Sequence, residues 1–342
     1  MIQKNLFPKK LIPKVRSTFD VSYVTDPMSD FFGFNGYQSI YSPTNDQNRV
    51  FYKNSQSMFR VKTDFLGNFG DGGFGWEAGY TFYNFKNDTV NISRLGVNYV
   101  GQSLFSKYKD WGLIQNNEAN GGQINYLKVG LKYDSRDQLA CPMKGIFTEA
   151  VIQTAPKLLN QKYPHSKFAL IHRQYFKIAN DFSFAYRLDY QTTVGKEKVP
   201  YYAQPLLITS YLIAATNQGL GGKSSIRGIL RNRIIGDAVG FGNFEFRYKF
   251  LRFEWLRQNF YLGTNVFFDS GIIFKPIDIS QTLINTQSGY FKPFEYGKFH
   301  SAAGLGLKIG WNENFVISAD YGKAFEKQDG NAGTYIGLNY LF

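Results

Sequence analysis

From residue 243 to 250 apolar and polar positions alternate without a break. Phe244, Phe246, Tyr248 and Phe250 fall on one face, and Asn243, Glu245, Arg247 and Lys249 on the other. A period of two marks a strand. One aromatic face and one charged face suit either a half-solvated soluble sheet or a membrane barrel with a wet lumen. The same alternation recurs at 14–24, 58–66, 74–82, 126–134, 146–153, 182–192, 260–271, 301–310, 315–322 and 333–342. Residues 31–40, after a T-D-P-M-S turn, read as a further strand. So do residues 167–178, although His172 and Arg173 leave their facing ambiguous. About thirteen strands of roughly 9 to 12 residues result, the length of a tilted membrane crossing rather than the mean soluble strand of about 5 to 6.

The connections alternate in length. Counting back from Phe342, residues 323–332, 274–300, 194–242, 155–166, 86–123 and 41–57 form a long set, and 311–314, 251–259, 179–181, 135–145, 67–73 and 25–30 a short one. Long loops at one rim and short turns at the other organise an outer-membrane barrel, whereas a soluble sandwich or propeller has no reason to keep that rhythm. The fold class is therefore all-β: one transmembrane antiparallel barrel domain over 1–342. Long connections are expected outside the cell and short ones in the periplasm. With an odd strand count, both the strand at 14–24 and the last strand would descend to the periplasm. Sealing them would need a parallel pair, which single-chain bacterial barrels avoid.

Composition agrees with this reading. Aromatics make up 18% of the chain and Gly accounts for 34 residues, so these two classes carry what Leu, Ile and Val usually carry. No run approaches the roughly 18 to 20 apolar residues of a membrane helix. The longest candidate, 205–215, is interrupted by Thr209 and Ser210. The net charge of +13 is spread along the chain, with only Lys9, Lys10 and Lys14 grouped, which favours a solvated or lumenal distribution over a nucleic-acid footprint, and no nucleic-acid partner is expected. A single Cys141, before Pro142, offers neither a disulfide framework nor a metal cluster. His165, His172 and His300 have no serine and carboxylate in a recognisable motif, so no catalytic residue, metal or cofactor is expected. The sequons at 87–89 and 91–93 are read as chance triplets. Residues 1–10 have no apolar core of signal-peptide length.

Four stretches carry a family resemblance. Residues 221–228, G-G-K-S-S-I-R-G, resemble the V-R-G-F or V-R-G-Y loop motif of the BamA/TamA superfamily of outer-membrane barrels. N-F-Y-L-G-T-N-V-F-F-D-S-G at 259–271 resembles its F-x-D-x-G strand. Y-D-S-R-D-Q at 133–138 followed by P-M-K-G at 142–145 resembles its Y-D-x-R-D, P-x-K-G turn. The end of the chain, with Gly337, Tyr340 and Phe342, is similar to the signal by which outer-membrane assembly machinery recognises its clients. The motifs fall in the family's order and indicate the surface-antigen variety lacking periplasmic POTRA domains. Ile229 replaces the aromatic that usually follows Arg-Gly. Relative to the family's sixteen strands, about three N-terminal strands and a signal peptide are expected to be missing. An antiparallel partner upstream of 14–24 within this chain would contradict that.

The resemblance implies a non-enzymatic outer-membrane barrel acting in insertion or translocation of a polypeptide or lipid. A passive pore for small solutes is the alternative that a charged lumen equally permits. The implied partners are outer-membrane lipid and lipopolysaccharide and the outer-membrane assembly machinery, with the cargo open. Alternation sends Ile336, Leu338, Tyr340 and Phe342 to lipid, and Asp269, Glu245 and Asp320 to the lumen. Arg227, set between Ile226 and Gly228 among residues too small to bury a guanidinium, needs a fixed partner. Asp269 is the first choice, since Arg offers a planar two-pronged donor to a carboxylate, and Glu245 and Asp320 are the second. The loop at about 195–236 is accordingly expected to fold inward as a plug.

Overall fold

The computed structural model describes residues 2–4, 15–47, 49–96, 98–99, 101–208, 219–312 and 315–342. Lys9, Lys10, Lys14 and most of the apolar run at 205–215 lie outside them. The described residues form one antiparallel sheet in chain order: β1 (Ile2–Lys4), β2 (Arg16–Asp30), β3 (Lys53–Asn68), β4 (Phe74–Asp88), β5 (Gly121–Asp134), β6 (Gly145–Ala155), β7 (His165–Lys177), β8 (Phe182–Val194), β9 (Ala238–Trp255), β10 (Gln258–Lys275), β11 (Phe299–Trp311), β12 (Phe315–Ala324) and β13 (Ala332–Leu338). Twelve strands are long. β1 is a three-residue segment, and among the described residues the sheet does not close on itself.

Alternation holds where it was strictest. Phe246, Tyr248, Val266, Leu305, Leu307, Ile317 and Tyr321 face outward and are exposed, while Glu245, Arg247, Asn265, Asp269, Lys308 and Asp320 face inward and are buried. This is the inverse of a soluble protein and the arrangement of a membrane barrel. In β7 the inward set is Lys167, Ala169, Ile171, Arg173 and Tyr175, which settles the facing that His172 and Arg173 obscured. At the short-turn rim Phe253, Phe260, Trp311 and Phe315 form a continuous row, with successive ring centroids 5.4, 6.0 and 6.5 Å apart. Such a row fits the aromatic girdle of a membrane interface.

Three expectations are corrected. Residues 31–40 are not a strand: Phe31, Phe32, Phe34 and Tyr37 are all buried, which a period of two forbids, and Gly33, Asn35 and Gly36 take positive φ around the 3₁₀ turn Gly36–Gln38. The T-D-P-M-S segment is not a turn but the upper part of β2. Its register shifts between Asp26 and Ser29, and a bulge on a sheet edge is where Pro27 can sit. β2 consequently runs from the short-turn end to the long-loop end, opposite to the direction expected for 14–24. Finally, β2 does have an upstream antiparallel partner, because Ile2, Gln3 and Lys4 pair with Phe19, Thr18 and Ser17. Since β2 runs toward the long-loop end and β13 away from it, the twelve long strands begin and end antiparallel, and the parallel seam expected from 14–24 does not arise. The agreement on thirteen strands is a coincidence of one strand lost and one gained.

At the long-loop end the connections build a second core. Phe31, Phe32, Phe34, Tyr52, Phe105, Tyr108, Tyr201, Tyr202 and Phe291, from four different connections, pack together with all or nearly all of their surface buried. Tyr108 anchors it: its ring meets Phe31 and Phe34 edge-on at 5.1 and 5.3 Å, and its hydroxyl accepts from the Phe34 N–H at 3.3 Å. Burial pushes the Tyr108 hydroxyl pKa up to about 12. Aromatic pairs of this geometry each add roughly 0.5 to 1.5 kcal/mol beyond area burial. We call this layer the cap.

Candidate functional site: a buried arginine in the central loop

The connection between β8 and β9 returns toward the inward face of the sheet. Its 219–236 part is held by apolar contacts of Leu220, Ile226, Ile229 and Ile234 with Val239, Ile273, Ala302 and Ala324. Ile229, where the family usually has an aromatic, fills this contact and is buried. The tip is shaped by small residues: the Gly221 N–H donates to Ser225 Oγ at 2.8 Å, and the Ser225 carbonyl accepts from Asn243 Nδ2 at 2.6 Å. Gly228 has φ +94, and a Cβ there would lie 2.7 Å from the backbone carbon of Gly322 and from Lys323 N. No other residue type fits this approach of loop to β12.

That approach sets Arg227 among three inward strands. Its backbone N–H donates to Asp269 Oδ2 at 3.0 Å, its Nε to the same oxygen at 2.9 Å, and its Nη2 to Oδ1 at 3.0 Å. Nη2 also lies 2.7 Å from Glu245 Oε1 on β9, and Nη1 3.4 Å from Asp320 Oδ2 on β12. The guanidinium stacks over Phe267 at 3.5 Å. Two more cations complete the centre: Arg247 Nε donates to Glu245 Oε2 at 2.8 Å, and Lys308 Nζ to Asp320 Oδ1 at 2.6 Å. Three carboxylates thus meet three cations, all nine-tenths buried or more. Burying such charges is tolerable only when each is paired and hydrogen-bonded.

The predicted loop and lumenal residues come together in this one cluster, with Ile226 and Gly228 flanking Arg227. The C-terminal residues do not follow their expected facing. Ile336 and Leu338 are exposed on the outer face, but β13 ends there, Asn339 takes φ +64, and Tyr340 and Phe342 turn inward and are buried. The reason is again arginine. Arg247 lies 4.4 Å from the Tyr340 ring and 4.8 Å from the Phe342 ring, and its Nη2 donates to the Phe342 carbonyl at 3.1 Å. Cation–π attraction strengthens once the cation is desolvated, and inward is where the cation is. Gly337 stays in β13, opposite Ser318.

The Y-D-S-R-D turn is braced internally and also packs inward, with Arg136 over the Phe147 ring at 4.6 Å and Cys141 buried against Tyr261, Val316 and Tyr340. Arg136 forks onto Asp134 at 2.9 and 2.8 Å, and Asp137 Oδ1 accepts the Met143 N–H at 3.1 Å. Each histidine has a structural partner: His165 meets the Tyr126 hydroxyl, His172 the Thr148 hydroxyl and His300 the carboxylate of Asp329. Among the described residues no group of three or more metal-type ligands converges. Sequence reading missed Tyr335, whose hydroxyl accepts the Gly228 N–H at 2.9 Å, and Arg231, which reaches Asp26 and Asp30 on β2 at 2.9 and 2.6 Å. The polar face of a strand was the only available signal for Tyr335, and tyrosine reads as apolar in a periodicity count. It also missed the inward cavity of about 410 Å³ between β7, β8 and β13, walled by Arg173, Arg187, Asp189 and Tyr335.

Comparisons with known proteins place this geometry. Two solved structures share the fold. BamA from Haemophilus ducreyi, lacking POTRA domains 1–3, matches with a TM-score of 0.57 and 13% identity over 98% of this chain and 60% of its own. CdiB from Escherichia coli matches with a TM-score of 0.57 and 12% identity over 95% of this chain and 49% of its own. The chain therefore spans less than two thirds of either. No curated protein sequence matches it. The profile of the Omp85 superfamily domain matches residues 13–340, a span that takes in the glycine-hinged loop, its arginine and the strands that receive it. The chain belongs to the Omp85 superfamily and is an outer-membrane β-barrel protein.

Proposed function

We propose that this barrel inserts polypeptides into the outer membrane or passes them across it, and that it does so without covalent chemistry. The observation that carries the reading is Arg227 in its buried three-carboxylate centre. A charge centre of this kind is expensive to desolvate and contributes little net stability compared with apolar packing. Its presence is explained by a loop that must take one defined position inside the barrel. In this account Arg227 latches the central loop to Asp269, with Glu245 and Asp320 completing the receptor, and the loop plugs the lumen. Family membership and likeness to BamA and CdiB support a role with polypeptides. The cap weighs against a passive pore, because nine aromatic side chains from four connections pack together at the long-loop end.

Depletion of the protein in its own cell tests the reading. Quantitative proteomics of outer-membrane and secreted fractions should show loss of particular polypeptides, with uptake of small hydrophilic solutes unchanged. An unchanged proteome with reduced solute uptake would establish the pore instead.

A further inference from the structure

A second arginine of the same loop, six residues after the first, faces the opposite way. Arg233 is fully buried, and each of its three nitrogens donates to a backbone carbonyl, two of them in the cap and one in the connection beside it. Nη1 reaches Gly36 O at 2.8 Å, Nη2 reaches Ser39 O at 3.0 Å and Nε reaches Gln328 O at 2.6 Å. The first two carbonyls belong to the connection after β2, the third to the connection before β13. Its charge is met by one carboxylate, Asp329, 3.9 Å away. That carboxylate also takes the Tyr37 hydroxyl and His300 Nδ1, both at 2.6 Å. Burial lowers the Arg233 pKa from its ordinary value, partly offset by Asp329. Backbone bonds continue the join: the Asn35 N–H donates to Ile235 O at 2.7 Å and the Leu230 N–H to Asp329 O at 2.9 Å.

We propose that Arg233 is a positioning residue which fastens the central loop to the cap, so that loop and cap are released together rather than separately. Three carbonyls fixed by one planar guanidinium is a geometry that a lysine cannot reproduce, since its ammonium is a single point of donation. The carbonyls belong to segments far apart in the chain, so a loop that withdraws strips Ser39 O and Gln328 O of this donor at once and leaves Gly36 O with the Ser39 N–H alone. Each buried acceptor left unmade is costly, which makes a half-released state unfavourable. Free energy coupled in this way is reciprocal. Whatever loosens the Arg227 end must loosen the cap, and whatever loosens the Arg233 end must loosen the Arg227 end.

Hydrogen–deuterium exchange on the purified full chain in detergent micelles tests this. Arg233→Met should speed exchange at the Arg227 and Gly228 amides, and Asp269→Asn should speed it at the Asn35, Ile40 and Lys292 amides of the cap, each by about fivefold or more. The amides of residues 127–134 in β5 and 145–151 in β6, outside the cap cluster, serve as the reference and should not change. Arg233→Lys should resemble Arg233→Met. If Arg233→Met does not assemble, Asp269→Asn read at the cap amides decides alone. Exchange that rises only on the mutated side, or full rescue by Arg233→Lys, would overturn the proposal. Because the readout needs no client and no activity, it stands or fails independently of the polypeptide reading.

Discussion

Arg227 binds Asp269 three times, through its backbone N–H, Nε and Nη2, at 3.0, 2.9 and 3.0 Å. One carboxylate therefore fixes both the position of the loop backbone and the direction of its arginine. The two residues are not equivalent, however. Removing Arg227 leaves Asp269 without a cation while Glu245 keeps Arg247 and Asp320 keeps Lys308, whereas removing Asp269 leaves the guanidinium with Glu245 and Asp320. Arg227→Ala should cost about 3 to 5 kcal/mol, as expected for breaking a buried ion pair, and Asp269→Ala less. The double variant should be little worse than Arg227→Ala, because both changes delete one interaction. Midpoints of heat-induced loss of the folded gel band would show this, and additive losses would mean that the contact does not operate.

Gly228→Ala should destabilise the loop as strongly as an electrostatic change does. It requires a left-handed φ of +94 and drives a methyl to 2.7 Å from the backbone of β12. Strain of this class costs on the order of 1 to 3 kcal/mol before the clash is counted. The expected result is faster protease cleavage within 219–236. Wild-type resistance would show that β12 yields and that the close approach is not required.

The inward turn at the end of β13 can be read by fluorescence. In vesicles of brominated lipid, Ile336→Trp should add emission that the bromine quenches, and Tyr340→Trp emission that it does not, each measured against the parent's 4 tryptophans. Equal quenching at both sites would return Tyr340 to the lipid face.

Orientation follows from the two rims. Asn116→Cys, on the exposed connection between β4 and β5, should react with an impermeant maleimide on intact cells, and Asn312→Cys, in the turn after β11, should not. Both changes belong in a Cys141→Ser background. The reverse pattern would invert the barrel.

Much of this was legible from period alone. On a strand whose Leu262, Val266 and Phe268 face lipid the next residue must point inward, so Asp269, and by the same rule Glu245 and Asp320, could be named before any coordinates. The same rule misplaced Tyr340 and Phe342, because it assumes the strand continues. Arg247 inside the barrel and a left-handed Asn339 end it instead. Residues 31–40 misled for a related reason: a run rich in Phe and Gly suits a strand or a cap equally, and only contacts with Tyr108 and Phe291, remote in sequence, separate the two. Arg231 and Arg233 stood in plain view within the R-G-I-L-R-N-R string. Arg231 meets Asp26 and Asp30 on a stretch of β2 that reads as a turn, and Arg233 meets three backbone carbonyls, which leave no mark in a pattern of side chains.

The central claim is that function depends on the latched loop. It is tested most directly by supplying Arg227→Ala to cells depleted of the wild-type protein, at matched membrane levels and with its heat-modifiable band present. The account predicts a folded barrel that fails to restore the missing outer-membrane and secreted polypeptides. Full restoration by Arg227→Ala would contradict it.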